Sequence, residues 1–223
     1  MILGIDEAGR GPAVGPLVLC GVWLSPRAEA GLKTLGVRDS KAFGSTETAR
    51  ARREQLAHQI REVAAHVTVL VADAAEVDRR VERQELNQME QELARAVIES
   101  GPPARRIVAD GARLFGPLCP DFPRLRAVDH ADATCLAVAA ASILAKVERD
   151  ARYQAIIDPL QQALQQPIQG GGYANAATAA FLRAHARRFG RLPDEVRRSW
   201  TWDVIQELDP TAGLPLVSRL KHK

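Results

Sequence analysis

The sequence predicts an α/β fold: a mixed five-stranded sheet flanked by helices, with a small helical appendage toward the C-terminus. Three observations predict it. Five short apolar runs read as strands, helical periodicity fills most of the spaces between them, and the first two runs are joined by a turn alone. The last point excludes a doubly wound parallel sheet, which needs a helix between its first two strands.

Met1–Ile5 reads as a short buried strand and Leu17–Leu24 as a second, with a Gly/Pro-rich connection between them. Ser45 is placed to cap a helix reaching Ala64, because Leu56, Ile60 and Val63 share one face. Val67–Val71 is β-branched and apolar, hence a third strand. Leu86, Met89, Leu93, Ala96 and Val97 repeat with helical spacing until Gly101-Pro102-Pro103 stops them. Ile107–Ala109 is a fourth strand, ending in Asp110-Gly111, and Leu125–Val128 a fifth. A long helix is expected from Ala133, with Leu136, Ala140, Ile143, Leu144 and Val147 facing inward. Beyond it "QGGGYAN" is a flexible turn, and Asn175 can cap the helix that follows. Residues 1–165 are expected to form the sheet domain and 166–223 a helical region, separate or part of the same domain.

A chain of 223 residues can bury a substantial core, and with 46% hydrophobic but only 4% aromatic residues that core must rest on Leu, Val, Ile and Ala. The net charge of +3 says little, but Arg183, Arg187, Arg188, Arg191, Arg197 and Arg198 cluster against only Asp194 and Glu195. Cys20, Cys119 and Cys135 show neither metal-ligand spacing nor a paired framework, which suits a reducing compartment. The first apolar run is broken by Asp6, Glu7 and Arg10, so no signal peptide is expected, and no apolar stretch approaches membrane-spanning length. The expectation is a cytoplasmic monomer without a membrane partner.

The chemistry is concentrated where strands end. Asp6 and Glu7 close the first apolar run, Asp110 closes "IVADG", and Asp132 follows the fifth strand. If these strands are neighbours, their ends gather carboxylates that repel one another. Hard cations with oxygen ligands, Mg²⁺ or Mn²⁺, resolve that repulsion, and two such ions about 4 Å apart suit in-line phosphoryl chemistry. Asp129 and Asp73 also follow apolar runs and compete for the same role.

With these segments in view, "GIDEAGRGPAVGPLV" resembles the N-terminal signature of ribonuclease HII, the type 2 ribonuclease H family. "DSK" (Asp39 to Lys41), "ADG" (Ala109 to Gly111), "AAASILAKVERD" (Ala139 to Asp150), "GY" (Gly172, Tyr173) and "RRSW" (Arg197 to Trp200) follow in the family's order. The resemblance implies a ribonuclease H-like fold and a Mg²⁺- or Mn²⁺-dependent endonuclease. Its implied substrates are RNA–DNA hybrids and duplex DNA containing ribonucleotides, cut 5′ to the ribonucleotide to leave 3′-hydroxyl and 5′-phosphate ends. It assigns metal binding and catalysis to Asp6, Glu7, Asp110 and Asp132, choosing Asp132 over Asp129 by its offset before the Ala-rich helix. It assigns ribose 2′-hydroxyl recognition to Gly9, Arg10 and Gly11, the group by which RNA is told from DNA. Tyr173 would stack on the sugar of the following nucleotide.

Phosphate contacts are expected from Ser40, Lys41, Lys146 and Arg149. Only five residues are Lys, and two of them, Lys41 and Lys146, fall in the family's blocks. Ser142, Lys146 and Arg149 share one helix face, expected to track a nucleic-acid backbone rather than to pair with Glu148 or Asp150. The chain departs from the family at His130-Ala131, at Gln91 and Glu92, at Trp200 in place of Phe, and at Gly171, where a lysine is common. None of these departures touches the four acids or the Gly-Arg-Gly loop. A resolvase-like nuclease of the same fold would keep the acids without needing that loop or Tyr173, and a non-catalytic binder would lack one of the acids.

Overall fold

The computed structural model describes residues 1–37 and 47–212. Strand β1 spans Ile2–Ala8 and β2 Leu17–Leu24. They pair antiparallel, with Asp6 opposite Cys20 and Ala8 opposite Val18. The pairing carries β1 three residues beyond the expected end at Ile5, so Asp6 and Glu7 lie inside a strand. The chain continues through α1 (Pro26–Thr34), α2 (Glu47–Val63), β3 (His66–Ala72), α3 (Ala74–Glu82), α4 (Leu86–Ser100), β4 (Arg106–Asp110), α5 (Ala112–Phe115), β5 (Leu125–Val128), α6 (Leu136–Leu164), α7 (Ala176–Phe189) and α8 (Asp203–Leu208). The sheet order is β3-β2-β1-β4-β5, with β4 parallel to both β1 and β5. This is the expected mixed five-stranded sheet.

Helices α1 and α3 correct the sequence reading, which placed none there. Ser25 caps α1 by accepting from Ala28 N, with Pro26 at the first turn; Asp73 caps α3 by accepting from Glu76 N. Both helices are nine residues long, too short for periodicity to show. Helix α6 begins at Leu136, three residues later than expected, because Ala131–Ala133 forms a 3₁₀ turn. Ser45, expected as a cap, lies outside the described residues, and α2 starts at Glu47. No helix among the described residues is long and apolar enough to cross a membrane.

The residues cluster into two compact units, each assembled from separated stretches of chain. The first comprises Met1–Ala8, Val18–Val71 and Asn87–Glu148; the second comprises Gly9–Leu17, Ala72–Leu86 and the chain from Arg149 onward. In the first unit the period of two along β1 sorts its residues between two cores. Leu3 and Ile5 pack with Leu19, Trp23, Ala94, Val97 and Phe115 on one face. Gly4 meets α6 on the other, where Val18, Cys20, Val22 and Leu24 join Leu56, Ile60 and the run Ala137–Ala141. All eight residues of β2 are buried, as a strand covered on both faces requires.

The Ala-rich segment of α6 has a geometric cause. A Cβ on Gly4 would fall 2.1 Å from the Ala137 carbonyl carbon, so helix and strand touch backbone to backbone. From that contact two strand residues advance about 6.6 Å and five helix residues about 7.5 Å. The matched rises bring Ser142 level with Asp6. The second unit has its own core, in which Ala13, Val14, Tyr153, Phe181, Leu182 and Ile205 are buried together.

Candidate active site

Strand register builds the site. Ile5 is level with Ala109 in the parallel β1/β4 pair, so the next residue of each, Asp6 and Asp110, comes side by side where β4 ends and β1 continues to Ala8. Asp110 is level with Val128 of β5. The chain then turns through His130, whose φ of 56° is left-handed, into the 3₁₀ turn that holds Asp132. Asp110 Oδ1 accepts a hydrogen bond from Ala131 N at 2.9 Å, fixing that turn over the strand ends. One carboxylate oxygen from each of Asp6, Asp110 and Asp132 lies within 4.8 Å of the others. Asp6 and Asp132 are 6% and 4% exposed.

Three carboxylates so placed are electrostatically strained. Burial holds the Asp6 carboxyl well above its usual range, and the like charges of Glu7 and Asp110 push it further up. A hydrogen bond from Ser142 and one from the Glu7 N–H, at 2.9 Å to Oδ1, act in the opposite direction. A divalent cation among the oxygens would remove this strain. The donor set is all carboxylate oxygen, which suits Mg²⁺ or Mn²⁺ and disfavours softer ions. The residues therefore fit the metal.

Glu7 is not among the three residues so gathered, but its charge acts on the Asp6 carboxyl more strongly than that of Asp110, which puts its carboxylate beside them. The two competing acids have local duties instead. Asp129 Oδ1 accepts from Ala112 N at 2.7 Å, and Asp73 is the α3 cap. Ser142 was noted in the sequence only for its helix face; its part in holding Asp6 follows from the Gly4–Ala137 contact, which no local pattern shows.

In the second unit, Gly9 has φ of +91°, and a Cβ there would lie 2.4 Å from the Pro16 carbonyl oxygen. Only glycine fits. Gly11 is exposed and Arg10 half-buried. Ala13 N and Val14 N both donate to the Gly172 carbonyl, at 2.8 and 3.1 Å, tying the Gly-Arg-Gly loop to the residue before Tyr173. Tyr173 is 50% exposed. Arg149 Cζ lies 5.4 Å from its ring centroid and 4.9 Å from that of Tyr153, while Arg149 Nη2 donates to the Gly171 carbonyl at 2.5 Å.

Arg149 also corrects the sequence reading. It is 4% exposed and pairs with Asp150 at 3.1 Å, although adjacent residues on a helix diverge. The long side chain, held at the Gly171 carbonyl, brings its other nitrogen within reach of the neighbouring carboxylate. Ser142 is likewise buried, and Lys146 is half-buried. Ser40 and Lys41 lie outside the described residues.

Comparison with known proteins agrees with this geometry. The family profile described as Ribonuclease HII matches residues 3–202. The chain is 37% identical to ribonuclease HII of Methanothermobacter thermautotrophicus over 209 residues, covering 89% of this chain and 95% of that protein. Among solved structures it resembles ribonuclease H2 from Pyrococcus horikoshii, with a TM-score of 0.78, 27% identity and coverage of 96% and 99% of the two chains. It also resembles ribonuclease HII from Archaeoglobus fulgidus, solved in complex with PCNA, with a TM-score of 0.74, 33% identity and coverage of 94% and 97%. A match of this extent, on a sheet whose strand ends gather three aspartates, places the chain in the ribonuclease HII family.

Proposed function

We propose that this chain, by family an endoribonuclease of RNA–DNA hybrids, also incises duplex DNA on the 5′ side of an embedded ribonucleotide, leaving 3′-hydroxyl and 5′-phosphate ends. The observation that carries the reading is the meeting of Asp6, Asp110 and Asp132 within 4.8 Å. Asp6, Asp110 and Asp132 would hold the catalytic cations, with Glu7, beside Asp6 in the strand, as the fourth carboxylate. When bound, Mg²⁺ or Mn²⁺ supplies Lewis acidity at the phosphodiester and offsets its charge. The chain's own groups orient the carboxylates: Ser142 hydrogen-bonds Asp6, and the Ala131 N–H fixes Asp110.

Substrate choice rests on the second unit's loops. The Gly9, Arg10 and Gly11 backbone recognises the ribose 2′-hydroxyl, since the open space at Gly11 admits a sugar closely and Gly9 permits the left-handed turn that precedes it. The exposed ring of Tyr173 stacks on the following sugar, held by Arg149 behind it. Ser40, Lys41 and Lys146 contact backbone phosphates, and the salt dependence of binding reports how many such contacts form.

The test is incision of a duplex carrying one ribonucleotide, with Mg²⁺ or Mn²⁺, and mapping of the cut. A single cut 5′ to the ribonucleotide, with Asp6→Asn and Asp110→Asn inactive, is expected. Equal cutting of an all-DNA duplex would instead assign a resolvase-like nuclease, and tight binding without incision a non-catalytic binder.

A further inference from the structure

Arg197 is a fully buried cation within the second unit, 0% exposed. Its guanidinium is spent on backbone carbonyls of one loop. Nη2 donates to Gly9 O at 2.7 Å, Nη1 to Arg10 O at 3.2 Å and Nε to Gly15 O at 2.9 Å. The Trp200 ring lies 5.0 Å from its Cζ, and Trp200 Nε1 donates to Gly11 O at 3.2 Å. All three carbonyls from Gly9 to Gly11 are thus held by two side chains of the "RRSW" segment.

This has a directional consequence. In a planar trans peptide the N–H points opposite to the C=O of the same unit. Carbonyls of Gly9 and Arg10 turned onto the guanidinium aim the N–H groups of Arg10 and Gly11 away from it. Pro12 has no N–H, so the amides whose direction the guanidinium sets are those of Arg10 and Gly11. Burying a guanidinium is costly unless its donors are used, and a fork whose three nitrogens meet three carbonyls meets that condition. A lysine, a point charge on a flexible stem, cannot reproduce it.

Asp78 holds the segment in turn. Buried to 5% exposure, it accepts from Arg198 N at 2.7 Å and from Ser199 N at 2.9 Å, with Ser199 Oγ also bonded to it. The backbone on either side of Arg197 is pinned as well: Arg197 N donates to Ala13 O at 2.8 Å, and Val14 bridges Val196.

We propose that Arg197 is a positioning residue for ribose recognition: by holding the Gly9, Arg10 and Gly15 carbonyls it aims the loop's amides at the sugar, and so sets discrimination between ribose and deoxyribose. The inference rests on the reading of this loop given above. Its residue touches no substrate; it acts through the backbone.

The test compares the affinity of the metal-free protein for a duplex containing one ribonucleotide with that for the matched all-DNA duplex. In Arg197→Lys the ratio is expected to fall about tenfold toward unity while all-DNA affinity is unchanged. Asp78→Asn, which loosens the backbone that carries Arg197, is expected to reduce the ratio about threefold. An unchanged ratio in folded Arg197→Lys overturns the proposal. If that variant does not fold, an unchanged ratio in Asp78→Asn overturns it. An equal loss on both duplexes also overturns it, since a purely structural prop would weaken both alike. A wild-type protein with no preference for the ribonucleotide duplex would refute the loop reading itself, before any variant is compared.

Discussion

Gly4 and Ala137 touch backbone to backbone: any Cβ at Gly4 would enter the Ala137 carbonyl group, 2.1 Å from its carbon. This contact sets how far α6 lies along β1, and hence where Ser142 stands relative to Asp6. Gly4→Ala therefore has to displace the helix. Overpacking of this kind costs about 1–3 kcal/mol, and each kcal/mol lowers the melting temperature of a chain this size by about 2–4 °C. Thermal denaturation and incision assays should show both a lower melting temperature and lost activity, with the loss persisting below the melting range. A variant as stable and active as the parent would show that helix register is not set here.

Asp6→Asn is expected to abolish incision and yet to stabilise the metal-free protein. The sign follows from the raised Asp6 carboxyl. At pH below the ordinary aspartate range both folded and unfolded chains hold the proton, and nothing is lost. As pH rises, the unfolded chain ionises first, so stability falls until the raised folded value is passed. Melting temperature against pH in EDTA should fall more steeply for the parent than for Asp6→Asn, and Mg²⁺ should restore the parent selectively. Parallel curves would mean that Asp6 carries no such penalty.

Ser142→Ala removes a hydrogen bond that favours the Asp6 carboxylate. The loss is about 0.5–1.5 kcal/mol, small for the fold but placed on a carboxylate of the proposed metal site. The acid limb of the rate profile should shift to higher pH, and half-maximal activity should need more Mg²⁺. A profile unmoved on both axes would separate Ser142 from the carboxylate's behaviour.

Asp132→Asn and Asp129→Asn separate two acids three residues apart. The first should lose essentially all incision, whereas the second, whose oxygen serves the Ala112 N–H, should keep activity within about threefold. A reversed order would reassign the site.

Tyr173→Ala should slow single-ribonucleotide incision about tenfold, and Tyr173→Phe should not. Half the side chain is exposed, so neither change should move the melting temperature appreciably. Equal rates for all three proteins would remove the ring from recognition.

Much of this was legible in the sequence because strands announce their ends. Asp6 and Asp110 each follow a β-branched or aliphatic run, and five such runs with one bare turn sufficed for a mixed sheet. Asp132 and Asp129 could not be separated by spacing. The difference is made by the left-handed His130 and the bond from Ala131 N to Asp110, both products of tertiary packing. Asp73 looked like a site residue because a helix cap and a strand-end ligand share one local signature. Arg197 was visible as one of six clustered arginines and as the start of "RRSW", but nothing local distinguishes a solvated arginine from one whose every nitrogen meets a carbonyl.

The bond between Asp110 Oδ1 and Ala131 N gives one side chain two jobs. The same acid that would offer an oxygen to an ion also tethers the turn from which its neighbour Asp132 projects. Truncation to alanine would cut that tether and let a second ligand drift, so its phenotype would overstate what the missing charge alone contributes. Asparagine keeps an oxygen at the same place, and only the difference between the two substitutions isolates electrostatics from scaffolding.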